Sequence, residues 1–116
     1  MSVALVLSAA GVGAQEVGPA NGSLVVVGGN MRDPAIVEEF LRLAGGADAP
    51  IVIIPTAGGD DAYDERWSGL RPFKAAGASR LTIIHTRNRD VSNSETFVQP
   101  IRNARGIWFT GGRQWR

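Results

Sequence analysis

The 116-residue sequence contains no cysteine, so these residues cannot form a disulfide framework, a thiolate metal site or a cysteine nucleophile. It contains a single histidine, His85, which by itself cannot build a multi-histidine metal site. Zinc-dependent hydrolysis by these residues is therefore not expected. We predict neither a metal site nor a cofactor in this part of the sequence.

Lysine is almost as scarce, since eleven of the twelve basic residues are arginine. Residues 1–65 hold two basic and nine acidic residues, whereas residues 66–116 hold ten basic and two acidic residues. A basic half could attract nucleic acid. No nucleic-acid-binding motif accompanies it, and solvated helix faces explain the asymmetry better, so no nucleic-acid partner is predicted.

The apolar run Met1–Ala14 is too short to cross a membrane as a helix. It ends in Val12-Gly13-Ala14, small residues of the kind that a signal peptidase favours, and a linker-like segment, residues 15–22, follows. No basic residue precedes the run, so an N-terminal strand of the domain is the alternative to a signal peptide. The composition of residues 15–22 favours the signal peptide. We therefore expect a secreted or periplasmic protein, with a cytoplasmic one as the alternative.

Short apolar runs predict four strands that are buried on both faces of a sheet. These runs are Ser23–Val27, Ile51–Ile54, Leu81–Ile84 and Gly106–Thr110. Helical patterns separate them, and the predicted helices are residues 34–44 (with Asp33 as the N-cap), Asp61–Ala76 and Ser94–Asn103. Strands that alternate with helices predict right-handed crossovers and a three-layer, doubly wound parallel α/β sheet.

The fourth predicted strand has no helix after it to cover it, because only residues 113–116 follow Gly112. We therefore expect the sheet to be incomplete. Residues 23–116 are predicted to form the N-terminal half of a larger domain.

Three glycine pairs follow predicted strands: Gly28-Gly29, Gly58-Gly59 and Gly111-Gly112. In an open parallel sheet, ligands bind outside the carboxyl ends of the strands, where glycine lets backbone N–H groups approach a ligand closely. Tight turns would explain the glycines equally well. The nucleotide-binding patterns G-x-G-x-x-G and G-x-x-x-x-G-K-[ST] are absent, so nucleotide binding is not favoured.

No serine of the sequence lies in a G-x-S-x-G elbow between a strand and a helix. The serines that follow the first predicted helix are expected to lie in turns, on the surface or at helix caps; these are Ser68, Ser79, Ser92 and Ser94. His85 follows the third predicted strand. It is expected to be a polar loop residue, with substrate contact as the alternative.

The segment Phe109–Gln114 has the pattern F-x-G-G-[DNR]-Q, which resembles the cyanophycinase and aspartyl dipeptidase family of serine peptidases. Residues 23–30 (SLVVVGGN) look like the opening strand and turn of that family. Residues 51–57 (IVIIPTA) look like its second strand and the loop that follows. The three blocks occur in the family's order and together cover most of the sequence from Gly22 onward.

The resemblance implies a fold like that of class I glutamine amidotransferases, with flavodoxin-like strand order. It implies a nucleophilic serine on a G-[TS]-S-A-G elbow beyond Arg116, with its histidine and acidic partners further on. The residues it implies in the site are Gly111 and Gly112 for the oxyanion hole and Gln114 for substrate binding. Gly28 and Gly29, which follow the first predicted strand, are further substrate-binding candidates. Arg113 departs from the family, because cyanophycinases usually have aspartate there, and this leaves the substrate open.

The implied activity is cleavage of peptide or isopeptide-like bonds through an acyl-enzyme, which these residues alone would not perform. The implied partner is a peptide substrate, with an Asp/Arg-rich polymer as one candidate, and a homodimer is a further expectation. A glutamine-amidotransferase-like module that binds a ligand or partner without hydrolysis is the alternative.

Overall fold

A computed structural model of the chain describes residues 21–112. In chain order its elements are α1 (Pro34–Ala44), β1 (Ile51–Ile54), a 3-10 turn (Ser68–Leu70), α2 (Arg71–Ala75), β2 (Leu81–Ile83), α3 (Arg89–Ser92), α4 (Glu95–Asn103) and β3 (Gly106–Phe109). Over this part of the chain, no helix combines the length and the apolar character needed to cross a membrane.

The three strands form one parallel sheet in the order β2-β1-β3. In the centre of the sheet, Ile53 of β1 pairs with Ile83 of β2 on one side and with Trp108 of β3 on the other. The chain thus passes from β1 to one neighbour and then crosses over β1 to the opposite neighbour. This arrangement confirms the predicted α/β class with a parallel sheet, and it fits a flavodoxin-like strand order.

Helix α1 begins and ends as its sequence predicts. The Asp33 carboxylate accepts a hydrogen bond from the Ala35 N–H at 2.9 Å, and Pro34 occupies the first turn. At the other end, Gly45 adopts a left-handed conformation with φ of 111°, which suits a residue without a Cβ. On the exposed face, hydrogen bonding from the Arg42 guanidinium lowers the pKa of Glu39.

The core lies between β1 and the layer formed by α1 and α2. Apolar side chains of all three elements meet there and are almost completely buried; they are Val37, Leu41, Ile51, Ile53 and Phe73. The Phe73 ring packs edge-on against Trp108 of β3 with 5.3 Å between ring centroids. Gly106 opens β3 directly beneath α1, because a Cβ there would approach Phe40 Cζ to 2.8 Å.

The opposite face of the sheet is covered more loosely by α3 and α4. Asn88 caps α3, and Ser94 caps α4 by accepting a hydrogen bond from the Phe97 N–H at 3.4 Å, as predicted for that helix. Neither helix has a fully buried residue. On this side Phe109 remains 72% exposed, so this layer buries less apolar surface than the layer of α1 and α2.

The predicted first strand is wrong, because Ser23–Val27 is paired with no strand of the described sheet. Leu24 and Val26 are 75% and 84% exposed. Both edges of β1 are occupied by β2 and β3, and Ser23–Val27 lies beside β3 across an open cavity. An apolar β-branched run forms a strand only when a partner backbone is within hydrogen-bonding reach.

The helix predicted over Asp61–Ala76 is wrong in its first half, since residues 61–67 are irregular and helical structure begins at Ser68. Pro72 lies in the first turn of α2, where its missing N–H is tolerated, so it starts a helix instead of interrupting one. Trp67 packs directly over Gly69, where a Cβ would overlap the indole ring. The short helix α3 was not predicted.

Candidate active site at the carboxyl ends of the strands

The strands β1 and β3 end side by side and leave a crevice between the loops that follow them. The β1–β3 ladder continues through a hydrogen bond from the Thr110 N–H to the Ile54 carbonyl at 3.2 Å. Beyond it, β1 turns sharply, since the Gly58 N–H donates to the carbonyl of the buried Pro55 at 2.8 Å. In flavodoxin-like order, the gap between the first and third strands is the switch point where ligands bind.

Gly112 lies directly against the backbone of Ala57 across this crevice. A Cβ on Gly112 would overlap the Ala57 carbonyl group and would lie 2.7 Å from the Ala57 Cβ. Gly111 has open space instead, because a Cβ there would meet no atom within 4 Å. The surrounding residues therefore require glycine only at position 112, where the absence of a side chain lets the two loops touch, and not at position 111.

Both glycines are exposed, and their backbone N–H groups donate no hydrogen bond within residues 21–112. Two consecutive free N–H groups at a switch point can donate hydrogen bonds to a carbonyl oxygen or an anion. This geometry is compatible with an oxyanion hole, which requires donors aimed at the point where negative charge develops.

The other predicted substrate-binding residues are not brought to this crevice. Gly28 and Gly29 are exposed, and a Cβ on either would meet no atom within 4 Å. Neither lines the cavities described here, so their role in binding stays a prediction. Gln114 lies outside the described residues, as do Arg113 and the predicted signal segment, residues 1–14.

The serines have the structural roles that the sequence predicts. Ser79 hydrogen-bonds to Asp48 at 2.7 Å, and Ser92 donates to the Arg89 carbonyl at 2.8 Å. Ser94 caps α4, and Ser68 is exposed at the start of the 3-10 turn. No serine within the part of the chain that the structure describes is hydrogen-bonded to the histidine.

His85 has a more specific environment than a polar loop residue would need. Its Nδ1 lies 3.1 Å from the Thr56 hydroxyl, and its ring packs edge-on against Tyr63 with 5.0 Å between centroids. Its Nε2 is buried and has no hydrogen-bond partner among the described residues. The ring thus joins the loop after β2 to the loop after β1.

Arg87 holds the loop that follows β1 from the outside. Its Nη2 donates to the carbonyl of Gly58 at 3.1 Å and to that of Asp60 at 3.3 Å. Within the loop, the Asp60 N–H donates weakly to the Tyr63 hydroxyl at 3.4 Å. Asp60 thus contacts both Arg87 and the Tyr63 hydroxyl, and the Tyr63 ring in turn packs against His85.

A cavity of about 460 Å³ lies between the strand ends and α4, and we call it the threonine cavity. Its polar lining residues are Thr56, Thr86, Ser92 and Thr110, and its other lining residues are apolar: Ile54, Ala57, Ile84, Phe97, Ile101 and Phe109. None of these side chains is charged. Over the described residues, no cluster of three or more acidic or histidine side chains could hold a metal ion.

Sequence reasoning missed Thr56, Thr86 and Thr110, although they share a signal. Each lies within three residues of the end of a strand. Because the carboxyl ends of parallel strands meet at one edge of the sheet, a threonine after every strand predicts a hydroxyl-lined site there. The connection between Thr56 and His85 has no comparable local signal.

Comparison with known proteins shows a distant relationship to cyanophycinase. A cyanophycinase from Geminocystis herdmanii (strain PCC 6308) is 30% identical to this sequence over 98 residues, which cover 81% of this chain and 35% of that protein. The chain thus spans about a third of the length of the curated relative that it matches. No family model and no solved structure matches the chain.

Proposed function

We propose that the chain is the N-terminal part of a serine-type hydrolase related to cyanophycinase, which cleaves peptide or isopeptide bonds. The observation that carries this proposal is the pair of free, exposed N–H groups of Gly111 and Gly112 at the switch point between β1 and β3. The distant similarity to a cyanophycinase supports the same reaction class.

The proposed complete fold is that of class I glutamine amidotransferases, with residues 23–116 as its N-terminal half and residues 15–22 as a linker. The described sheet order, with β1 between β2 and β3, agrees with this fold. The nucleophilic serine and its histidine and acidic partners are proposed to follow Arg116, because the described serines cap helices, lie in turns or are exposed.

In the proposed reaction, a serine hydroxyl attacks the scissile carbonyl while a base removes its proton. The carbonyl oxygen becomes an oxyanion, which accepts hydrogen bonds from the N–H groups of Gly111 and Gly112. The protonated base then gives its proton to the amine, which leaves as the carbon–nitrogen bond breaks, and water hydrolyses the acyl-serine to a free carboxylic acid. One such donor typically contributes a factor of about 10²–10³ to kcat.

The proposed substrate is a peptide that the Gln114 amide helps to orient, since an amide can donate and accept hydrogen bonds at once. An Asp/Arg-rich polymer is one candidate, because the chain is related to a cyanophycinase. The arginine at position 113 sets this chain apart from the usual cyanophycinase pattern.

The test uses the complete protein, a panel of peptides and a serine-reactive fluorophosphonate probe. We expect peptide hydrolysis and covalent labelling of one serine beyond Arg116. Gly111→Val, at a position with open space, should remain folded and should lower kcat at least tenfold by blocking the approach of substrate to the N–H groups. Glu38→Gln on the exposed face of α1 is the matched control and should keep full activity.

Unchanged kcat in folded Gly111→Val would contradict the oxyanion role of this glycine pair. Absence of both hydrolysis and labelling on every peptide tried would contradict the enzyme. That second outcome would favour a non-catalytic module that binds ligands or partners.

A further inference from the structure

The hydrogen bond between His85 and Thr56 can form in two ways, depending on which ring nitrogen carries the proton. If the proton is on Nδ1, the ring donates to the Thr56 oxygen and the threonine O–H remains free to donate elsewhere. If the proton is on Nε2, the threonine O–H donates to Nδ1 and cannot donate to another acceptor.

The burial of Nε2 distinguishes between these two forms. Nε2 is shielded from solvent and has no partner among the described residues. A buried N–H donor without an acceptor is costly and rare in proteins, whereas an unpaired acceptor is tolerated more often. The proton therefore belongs on Nδ1, and His85 donates to Thr56.

Thr56 also lines the threonine cavity, as do Thr110 and Ala57, the residue that follows Thr56. A hydroxyl whose oxygen already accepts a bond from His85 has its own proton available for an acceptor in that cavity. Because no charged side chain among the described residues lines the cavity, a bound carboxylate or guanidinium would find no counter-ion among them. The cavity chemistry fits an uncharged group with an apolar side chain and a carbonyl oxygen.

We propose that the threonine cavity binds an uncharged, apolar acyl or peptide group, that the Thr56 hydroxyl donates to its carbonyl oxygen, and that His85 positions this hydroxyl. Thr110 lines the cavity and directly precedes Gly111, so the cavity adjoins the proposed oxyanion hole. The inference that the bound group belongs to a substrate rests on the proposed function. At this subsite the proposal predicts a preference against aspartate and arginine side chains, so it disfavours the Asp/Arg-rich polymer as the group bound there.

The tautomer is tested by long-range ¹⁵N NMR on the complete, ¹⁵N-labelled protein at about pH 8.5. The His85 signals are those that disappear in His85→Asn. We expect a protonated Nδ1 and a bare Nε2. A proton on Nε2 would overturn the proposal.

Binding is tested by NMR titration with N-acetyl-leucine methylamide and with N-acetyl-aspartate methylamide. The leucine probe should bind at the cavity and the aspartate probe at least tenfold more weakly. Thr56→Val should weaken binding of the leucine probe about tenfold, which corresponds to the loss of one hydrogen bond, whereas Thr56→Ser should retain it. Thr82→Val, on an exposed position of β2 away from the cavity, is the matched control.

His85→Asn keeps an N–H donor near the position of Nδ1 and should retain most of the affinity, whereas His85→Leu should lose it to the same extent as Thr56→Val. Equal affinity of Thr56→Val and wild type, or equal binding of the two probes, would contradict the proposal. Probe binding does not require hydrolysis. A protein that binds the leucine probe through Thr56 but cleaves no peptide would contradict the proposed function and leave this binding site intact.

Discussion

The backbone of Gly112 packs directly against the carbonyl group of Ala57, so that the loops after β1 and β3 touch at the switch point of the sheet. This contact narrows the crevice and places the free N–H groups of residues 111 and 112 beside the loop that carries Thr56. Any side chain at position 112 must separate the two loops.

Gly112→Ala should therefore destabilise the complete protein by about 1–3 kcal/mol, as overpacking of a closely packed site does. Gly111→Ala is the matched control, because a methyl group there meets open space and should change stability by less than about 1 kcal/mol. Urea unfolding followed by circular dichroism measures both. Equal stability of the two variants would show that the contact with Ala57 is easily displaced.

Two phenylalanines, one almost completely buried and one mostly exposed, provide a test of the core. Phe73 of α2 is 2% exposed and packs against Trp108. Phe73→Ala should therefore lower the free energy of unfolding by about 3–5 kcal/mol. Phe109, which is 72% exposed in this structure, is the control, and Phe109→Ala should cost less than about 1 kcal/mol. A larger loss at Phe109 would mean that further parts of the complete protein cover it.

The capping hydrogen bond of α1 should make a measurable contribution to stability. Asp33→Ala removes the acceptor of the Ala35 N–H and should lower the free energy of unfolding by about 1 kcal/mol. Asp33→Asn keeps an acceptor oxygen and should lower it by only a few tenths of a kcal/mol. If chemical denaturation finds the same loss for both, the charge and not the cap is what matters at this position.

Apolar side chains around the outer edge of β3 should make the 116-residue chain self-associate. Leu24 and Phe109 are 75% and 72% exposed and line the cavity beside this edge, which pairs with no other described strand. Phe109→Lys should reduce association in sedimentation velocity. Val91→Lys on α3, at 43% exposure, should not. A monomeric chain with a cooperative thermal transition would refute this prediction.

Export can be tested on protein produced from the complete gene. The apolar segment before Val12-Gly13-Ala14 predicts removal of residues 1–14 and a new N-terminus at Gln15. N-terminal sequencing of secreted or periplasmic protein identifies the mature end. Cytoplasmic protein that retains residues 1–14 would show that this segment is not a signal peptide.

The local chemistry of the sequence was sufficient to locate most regular elements. Asp33-Pro34 and Gly45 delimit α1, and Ser94 caps α4, because caps depend on side chains within a few residues of the helix end. The runs that form β1, β2 and β3 were recognised within one residue at each end. They are apolar, β-branched or aromatic segments between turn residues, but the prediction that each strand is buried on both faces is wrong for β2 and β3, whose residues are mostly half-buried or exposed.

Contacts between distant parts of the chain were decided by the tertiary structure. Ser23–Val27 has the composition of a buried strand, yet it lies across an open cavity from β3 and pairs with no strand of the described sheet. The Thr56–His85 bond joins residues that are 29 positions apart, and the Gly112–Ala57 contact depends on β3 lying beside β1. The order of the strands in the sheet determines which loops lie side by side. The sequence shows which residues each loop contains, but it does not show which other loop they will contact.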